Sequence, residues 1–324
     1  MKRPDRLTSV MIGHAVADAL GVPVEFCDRE ELDEAPVTDM MGYGTYSMPA
    51  GSWSDDTSMA LATLDSLADG VIDYDGIMEN FVAWWSRDEY TPTGEMFDIG
   101  GICISAIRNY LNADGARAVE CGLSDVGSNG NGSLMRIHPM SVYLYEMGYA
   151  LDEAMDIIHN TSALTHAHMR SKIACGIYTA ALWAVLDEPS VASVRRGLSA
   201  ARRFYKGESE LSAYNRLFER IAGLCPSDEA DAYRVNIKSS GYVVDTLEAA
   251  IWCVLSTNNY KTCVLRAVNL GEDTDTVAAI AGGIAGAIYG YEGIPCSWRD
   301  TLIRRDYIED MCERAAAAWD RIRP

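Results

Sequence analysis

The chain predicts an all-α protein. Helical apolar patterns dominate it from end to end, several of them stop at Gly or Pro, and no hairpin or run of alternating strand-like residues interrupts them. Of its 324 residues, 48% are hydrophobic, enough for a substantial core. No linker or internal repeat divides the sequence, so one domain over residues 1–324 is expected.

The elements follow in order. Residues 8–20 read as a first helix, ended by Gly21 and Pro23. Residues 55–68 form a second, stopped at Gly70, and 77–86 and 99–111 follow. After the loop 127–132, Ser133 opens the next. Helices are expected over 151–159, 166–186, 191–205 and 211–222, then a polar loop or local insertion at 225–229. The last block holds 243–256, 260–268, 276–289 and 304–321. Within it, Gly282, Gly283 and Gly286 sit among alanines. Gly weakens a helix, so close packing against neighbours is the simplest reason for them, and this segment reads as a central core helix.

Charge and cysteine use bound the function. Lys and Arg total 27 against 47 Asp and Glu, a net charge of −20. That balance excludes general affinity for nucleic acid or anionic membrane, and an anionic substrate would need local help from metal, helix N-termini or a few basic side chains. The nine cysteines include no C-x-x-C pair and read as reduced, mostly buried thiols of a cytoplasmic protein. The basic start Met1-Lys2-Arg3-Pro4-Asp5-Arg6 is followed by His14 and Asp18 with no clear cleavage site, so a signal peptide is not expected. No stretch reads as long and apolar enough to span a bilayer, 277–289 coming nearest.

Two acidic clusters carry the chemistry. Ser54-Asp55-Asp56-Thr57 and Glu272-Asp273-Thr274-Asp275-Thr276 each open a helix, far apart in the chain. Either one alone reads as helix capping. Two together concentrate carboxylates that repel unless a cation neutralises them, and oxygen-only ligands favour Mg²⁺, Mn²⁺ or Ca²⁺ over zinc. If the fold joins them, they can bridge two metals.

Other positions carry two readings each. The loop Gly130-Asn131-Gly132-Ser133 either cradles a diphosphate on helical amides or is an ordinary turn with Ser133 as N-cap. Arg136 faces a ligand or pairs with an acid elsewhere. Glu25, just after the Gly21-Val22-Pro23 stop, is aimed into a cleft or is a solvated turn residue. His166 and His168 are two apart and share no helical face; a structural histidine is the default for both. His14 reads as packing, and Tyr242 as a ligand contact or core.

Six segments in fixed order resemble the ADP-ribosylglycohydrolase family, also called the dinitrogenase-reductase-activating glycohydrolase family. They are GHAVADALGVPVEF at 13–26, WSDDT at 53–57, GNGSLMR at 130–136, THAH at 165–168, SGYVVDTLEAA at 240–250 and NLGEDTDT at 269–276. The resemblance implies a single compact orthogonal helical bundle with two Mg²⁺ or Mn²⁺ ions. It implies Ser54, Asp55, Asp56, Asp273, Asp275 and Thr276 as metal ligands, Ser54 standing where many relatives have Thr. Glu25 matches an acid near the metals that belongs to a mobile flap in some members; Asp55, Asp56 or Glu25 would accept the proton of the attacking water. Gly130, Asn131, Gly132, Ser133, Met135, His166 and Tyr242 are implied on the substrate side. The implied activity is hydrolysis of the bond joining ADP-ribose to a modified acceptor, protein arginine first. The partner is then an ADP-ribosylated protein or small ADP-ribosyl substrate, set against an ADP-ribosyltransferase or toxin. Rival readings are an ADP-ribose-binding protein, a non-catalytic protein such as the lens crystallins that resemble this family, and a phosphoesterase cutting the diphosphate.

Overall fold

A computed structural model describes residues 6–112, 115 and 117–323. The basic start Met1–Asp5 lies outside them. Among the described residues there are sixteen α-helices and no strand. They are α1 (Arg6–Gly21), α2 (Arg29–Glu34), α3 (Asp55–Leu67), α4 (Tyr74–Arg87), α5 (Gly101–Asn112), α6 (His138–Glu146), α7 (Leu151–Ala163) and α8 (Met169–Asp187). The second half adds α9 (Val191–Phe204), α10 (Asn215–Glu219), α11 (Asp228–Ala232), α12 (Val243–Leu255), α13 (Tyr260–Val268), α14 (Thr274–Tyr289), α15 (Cys296–Thr301) and α16 (Arg305–Ile322).

α1 and α14 form the central pair, and small residues let them touch. A Cβ on Gly282 would lie 2.4 Å from the Gly13 carbonyl oxygen, and one on Gly13 would lie 2.6 Å from that of Gly282. Glycine is therefore required at this crossing, and the reading of α14 as a core helix holds. Thr274 Oγ1 donates to the Gly21 carbonyl at 2.8 Å, which pins the start of α14 to the end of α1. α12, α13 and α8 pack around α14, while α3, α6 and α16 flank α1. The core runs as one cluster from Leu7 to Trp319, with Trp53, Trp84, Trp252 and Trp298 among its largest side chains.

Several expectations need correction. The stretch Arg6–Val24 is long and apolar enough to cross a membrane by length and composition, yet all of it beyond the exposed Arg6 is buried inside the fold. No helix begins at Ser133: residues 131–136 form turns, and α6 starts at His138, followed by Pro139 at a position where its missing N–H costs nothing. The helix expected from His166 begins at Met169, because His168 is its N-cap, with Nδ1 accepting from the Arg170 amide at 3.2 Å. The helix expected over 211–222 breaks into 3₁₀ turns on either side of short α10. There the buried Tyr214 turns inward to donate from its hydroxyl to the Arg170 carbonyl. The loop expected at 225–229 contains the start of α11, where Ser227 Oγ accepts from the Ala230 amide. The short helices α2 and α15 were not foreseen.

Candidate active site and metal centre

The N-terminus of α3 is built by a residue on α1. Asp18, alone as a charge in the apolar body of that helix, accepts from the Ser54 amide, the Thr57 amide and the Thr57 hydroxyl, the last at 2.6 Å. The first-turn amides of α3 are thus satisfied from outside. Ser54 is also a true N-cap, its Oγ accepting from the Asp56 amide at 3.3 Å. The capping reading of this cluster therefore holds as well, and it leaves the Asp55 and Asp56 carboxylates without capping duties.

The second cluster meets the first. Thr276 Oγ1 donates to Asp56 Oδ2 at 3.1 Å, across 220 residues of chain. Glu25 is delivered by a two-way backbone pairing: the Phe26 amide donates to the Glu272 carbonyl at 2.7 Å and the Glu272 amide to the Cys27 carbonyl at 2.9 Å. Phe26 and Glu272 both hold positive φ, 66° and 61°, a conformation non-glycine residues adopt at a cost. The result places one oxygen each of Glu25, Asp273 and Asp275 within 4.8 Å of one another. Glu25, a candidate base on sequence, thus stands among the acids that converge tightest.

The donor set fits a hard cation. Glu25 Oε2, Asp56 Oδ1, Asp273 Oδ1 and Asp275 Oδ2 are buried carboxylate oxygens without a hydrogen-bond partner. Buried acceptors are normally satisfied, and four orphaned oxygens at one place could hold a metal ion. Electrostatics agrees. Burial and Asp98 raise the Glu25 carboxyl to about 8. Burial and neighbouring acids push Asp55, Asp56 and Asp275 well above the usual carboxylate range, and burial raises Asp273 against a hydrogen bond from Asn131. Among the described residues no Lys or Arg enters the causes of these shifts.

A cleft of about 320 Å³ opens over these acids. Glu25, Asp55, Asp273 and Thr276 line it, facing Gly130, Asn131, Gly132, Met135 and His166. Two isolated bridges hold that wall: Gly130 pairs with Tyr242, and Leu123 with His166. Asn131 donates through Nδ2 to Asp273 Oδ2 at 2.8 Å, tying the loop to the acids. The Asn131 amide donates to the Gly241 carbonyl and those of Leu134 and Met135 to the Asn131 carbonyl, so the loop closes on itself as turns and starts no helix. Ser133 turns into the core, where the Ser162 hydroxyl donates to it. The Tyr242 hydroxyl accepts from Arg170 Nη1 at 2.8 Å and is not among the lining groups. His14 is buried and packs against the His138 ring, tilted by 34° with centroids 4.1 Å apart. Arg136 is buried and its ion-pairing expectation fails, since no carboxylate partners it among the described residues.

Sequence reasoning missed Asp18, Asp98 and Phe26. A lone acid inside the apolar run His14–Leu20 was the available signal for Asp18. Asp98 holds φ 53° just before the Gly100-Gly101 opening of α5, and it lies among the raised carboxyls. Phe26 lines the cleft while 68% exposed.

Comparison with known proteins places the chain. The ADP-ribosylglycohydrolase family profile matches residues 1–324. ADP-ribosylarginine hydrolase Tri1 of Serratia proteamaculans is 32% identical over 311 residues, covering 96% of this chain and 78% of that protein. The ADP-ribosyl-dinitrogen reductase glycohydrolase of Rhodospirillum rubrum is 30% identical over 301 residues, covering 92% of this chain and 90% of its own length. A solved structure described as an ADP-ribosylglycohydrolase-related protein complex superposes with a TM-score of 0.78 at 27% identity, over 97% of this chain and 98% of that one. A helical fold with a buried acidic centre, a profile match along its full length and relatives of this identity together mean that the chain belongs to the ADP-ribosylglycohydrolase family of hydrolases.

Proposed function

We propose that this protein, acting as one domain over residues 1–324, hydrolyses the glycosidic bond that links ADP-ribose to a modified acceptor, protein arginine above all. The observation that carries the reading is the convergence of orphaned carboxylate oxygens from Glu25, Asp56, Asp273 and Asp275 beside a cleft. Arginine is favoured by the names of two relatives, both ADP-ribosylarginine hydrolases.

Ser54, Asp55, Asp56, Asp273, Asp275 and Thr276 would hold two Mg²⁺ or Mn²⁺ ions, with Glu25 close enough to join them. Such ions bind vicinal hydroxyls and lower the pKa of bound water. The chain's own groups do the rest. Gly130, Asn131, Gly132, Met135 and His166 form the opposite wall and orient the ADP-ribosyl group. Ser133 and Tyr242 serve that wall from behind. Positive charge develops on the sugar as the bond breaks, and the acid-rich floor favours it. Asp55, Asp56 or Glu25 takes the proton from the attacking water. An ADP-ribosyltransferase or toxin would supply the substrate.

Mass spectrometry of an ADP-ribosylated arginine protein tests this. The adduct should vanish and free ADP-ribose appear with Mg²⁺ or Mn²⁺ but not with EDTA. Asp56→Ala should lower turnover by more than the ~10²–10⁴-fold of a lone general base, because it disturbs both metal and base. AMP among the products would instead show diphosphate cleavage. If no ADP-ribosyl linkage is cleaved with either metal, the binding-protein or crystallin-like reading replaces this one.

A further inference from the structure

Arg136 is fully buried, and its charge has no carboxylate partner among the described residues. Its Nε and Nη1 find no hydrogen-bond partner, and the guanidinium lies 4.6 Å over the Phe81 ring. Only Nη2 is engaged: it donates to the Thr161 carbonyl at 3.3 Å and to Thr165 Oγ1 at 2.8 Å. A buried, uncompensated cation is costly, so a role for it is expected. Thr165 Oγ1 in turn lies 2.8 Å from Nδ1 of His166. The His166 ring reaches the cleft wall: a Cβ on Gly130 would lie 3.2 Å from its Nε2, and one on Gly132 3.0 Å from its Cε1. The backbone around it is clamped, with the Leu123 amide donating to the Thr165 carbonyl and the Ala167 amide to the Leu123 carbonyl.

This chain has a direction. A guanidinium only donates, so it occupies a lone pair of Thr165 and leaves the hydroxyl one proton to give. Accepting a charge-assisted bond makes that hydroxyl a better donor. An imidazole N–H aimed at Thr165 would also point its positive end towards the cation. The Cys103 thiol beside Thr165 is the poorer acceptor. The Thr165 proton therefore goes to Nδ1, and the imidazole proton stays on Nε2. Burial and the Arg136 charge both keep His166 neutral, holding it down at about 3.

We propose that Arg136 is a positioning residue: acting through Thr165, it locks His166 in the tautomer that offers an Nε2–H donor to an anionic oxygen in the cleft. The oxygen belongs to the ADP-ribosyl group, a step that rests on the function proposed above; the tautomer itself does not. Because no titration is involved, the donor stays available across neutral pH. The device also supplies local recognition of an anion in a chain of net charge −20.

Long-range proton–nitrogen NMR of the full chain, labelled with ¹⁵N-histidine and loaded with Mg²⁺, reads the tautomer directly. The His166 signals are identified by their loss in His166→Gln. Nε2 should be protonated and Nδ1 bare at every pH between about 5 and 8. Thr165→Val should give a mixture of tautomers and weaken ADP-ribose binding roughly tenfold by calorimetry, and Thr165→Ser should restore both. Arg136→Met should reproduce the mixture, while Thr165→Val keeps the test alive should that variant not fold. A proton on Nδ1 in the unaltered protein, or an unchanged spectrum in Thr165→Val, overturns the proposal. Equal ADP-ribose affinity in the Val and Ser variants overturns its ligand half. If the tautomer is as stated but ADP-ribose does not bind the unaltered protein at all, the functional reading fails and the tautomer assignment stands.

Discussion

Each acidic side chain here answers to its neighbours more than to its own chemistry. Burial and mutual repulsion raise Glu25 to about 8 and carry Asp55, Asp56 and Asp275 the same way. A carboxyl that holds its proton more tightly folded than unfolded stabilises the fold at low pH. That contribution is complete below about pH 4 and is lost as pH rises towards about 8. Chelated protein should therefore melt lower at about pH 8 than at about pH 5, and Mg²⁺ should remove most of the gap by pairing the charges. Calorimetry in EDTA checks this, and a melting temperature that climbs with pH contradicts it. Asp18 gives a second case. Asp18→Ala strips three donors at the start of α3 of their acceptor and should cost roughly 1–3 kcal/mol, measured by urea denaturation. The acid-hydroxyl clusters were legible because their residue types announce their chemistry. Asp18 and Asp98 were not, since an isolated Asp gives no sign of which amides or carboxylates the fold will bring to it.

At the scale of elements, the helices with strong periodicity were read correctly in place and kind. α3 and α14 were fixed to within two residues because Ser54 caps one and acids open the other. Reading failed where a side chain or proline resets the start, as His168 does for α8 and Pro139 for α6. It also failed for α2, α11 and α15, each six residues or fewer, which carry too little period to detect. The glycines of α14 were explained by packing, and the contact with α1 gives that a test. In Gly282→Val the new side chain must displace the Gly13 backbone. Since α14 carries Asp275 and Thr276 in its first turn, the shift should lower stability by about 1–3 kcal/mol and weaken metal binding together. Thermal melts and metal titration of the one variant measure both, and a loss of stability with metal affinity intact would separate the crossing from the site.

For the molecule as a whole, the charge of −20 makes non-specific association with polyanions unfavourable. Gel-shift with duplex DNA and co-sedimentation with phosphatidylserine vesicles at physiological salt should both be negative, and retention of either would require a basic surface not evident in the composition. The larger consequence comes from the pairing of α1 with α14. Thr274 closes on Gly21 from 253 residues downstream. At a synthesis rate of roughly 5–20 residues per second, the first helix waits on the order of tens of seconds for its partner to leave the ribosome. During that wait an apolar stretch near the N-terminus, as long as a membrane span, lacks the helix it packs against most extensively. The nascent chain is thus a natural client for holding chaperones, and translation stalled before α14 should yield a species that captures them while remaining unable to assemble its acidic centre.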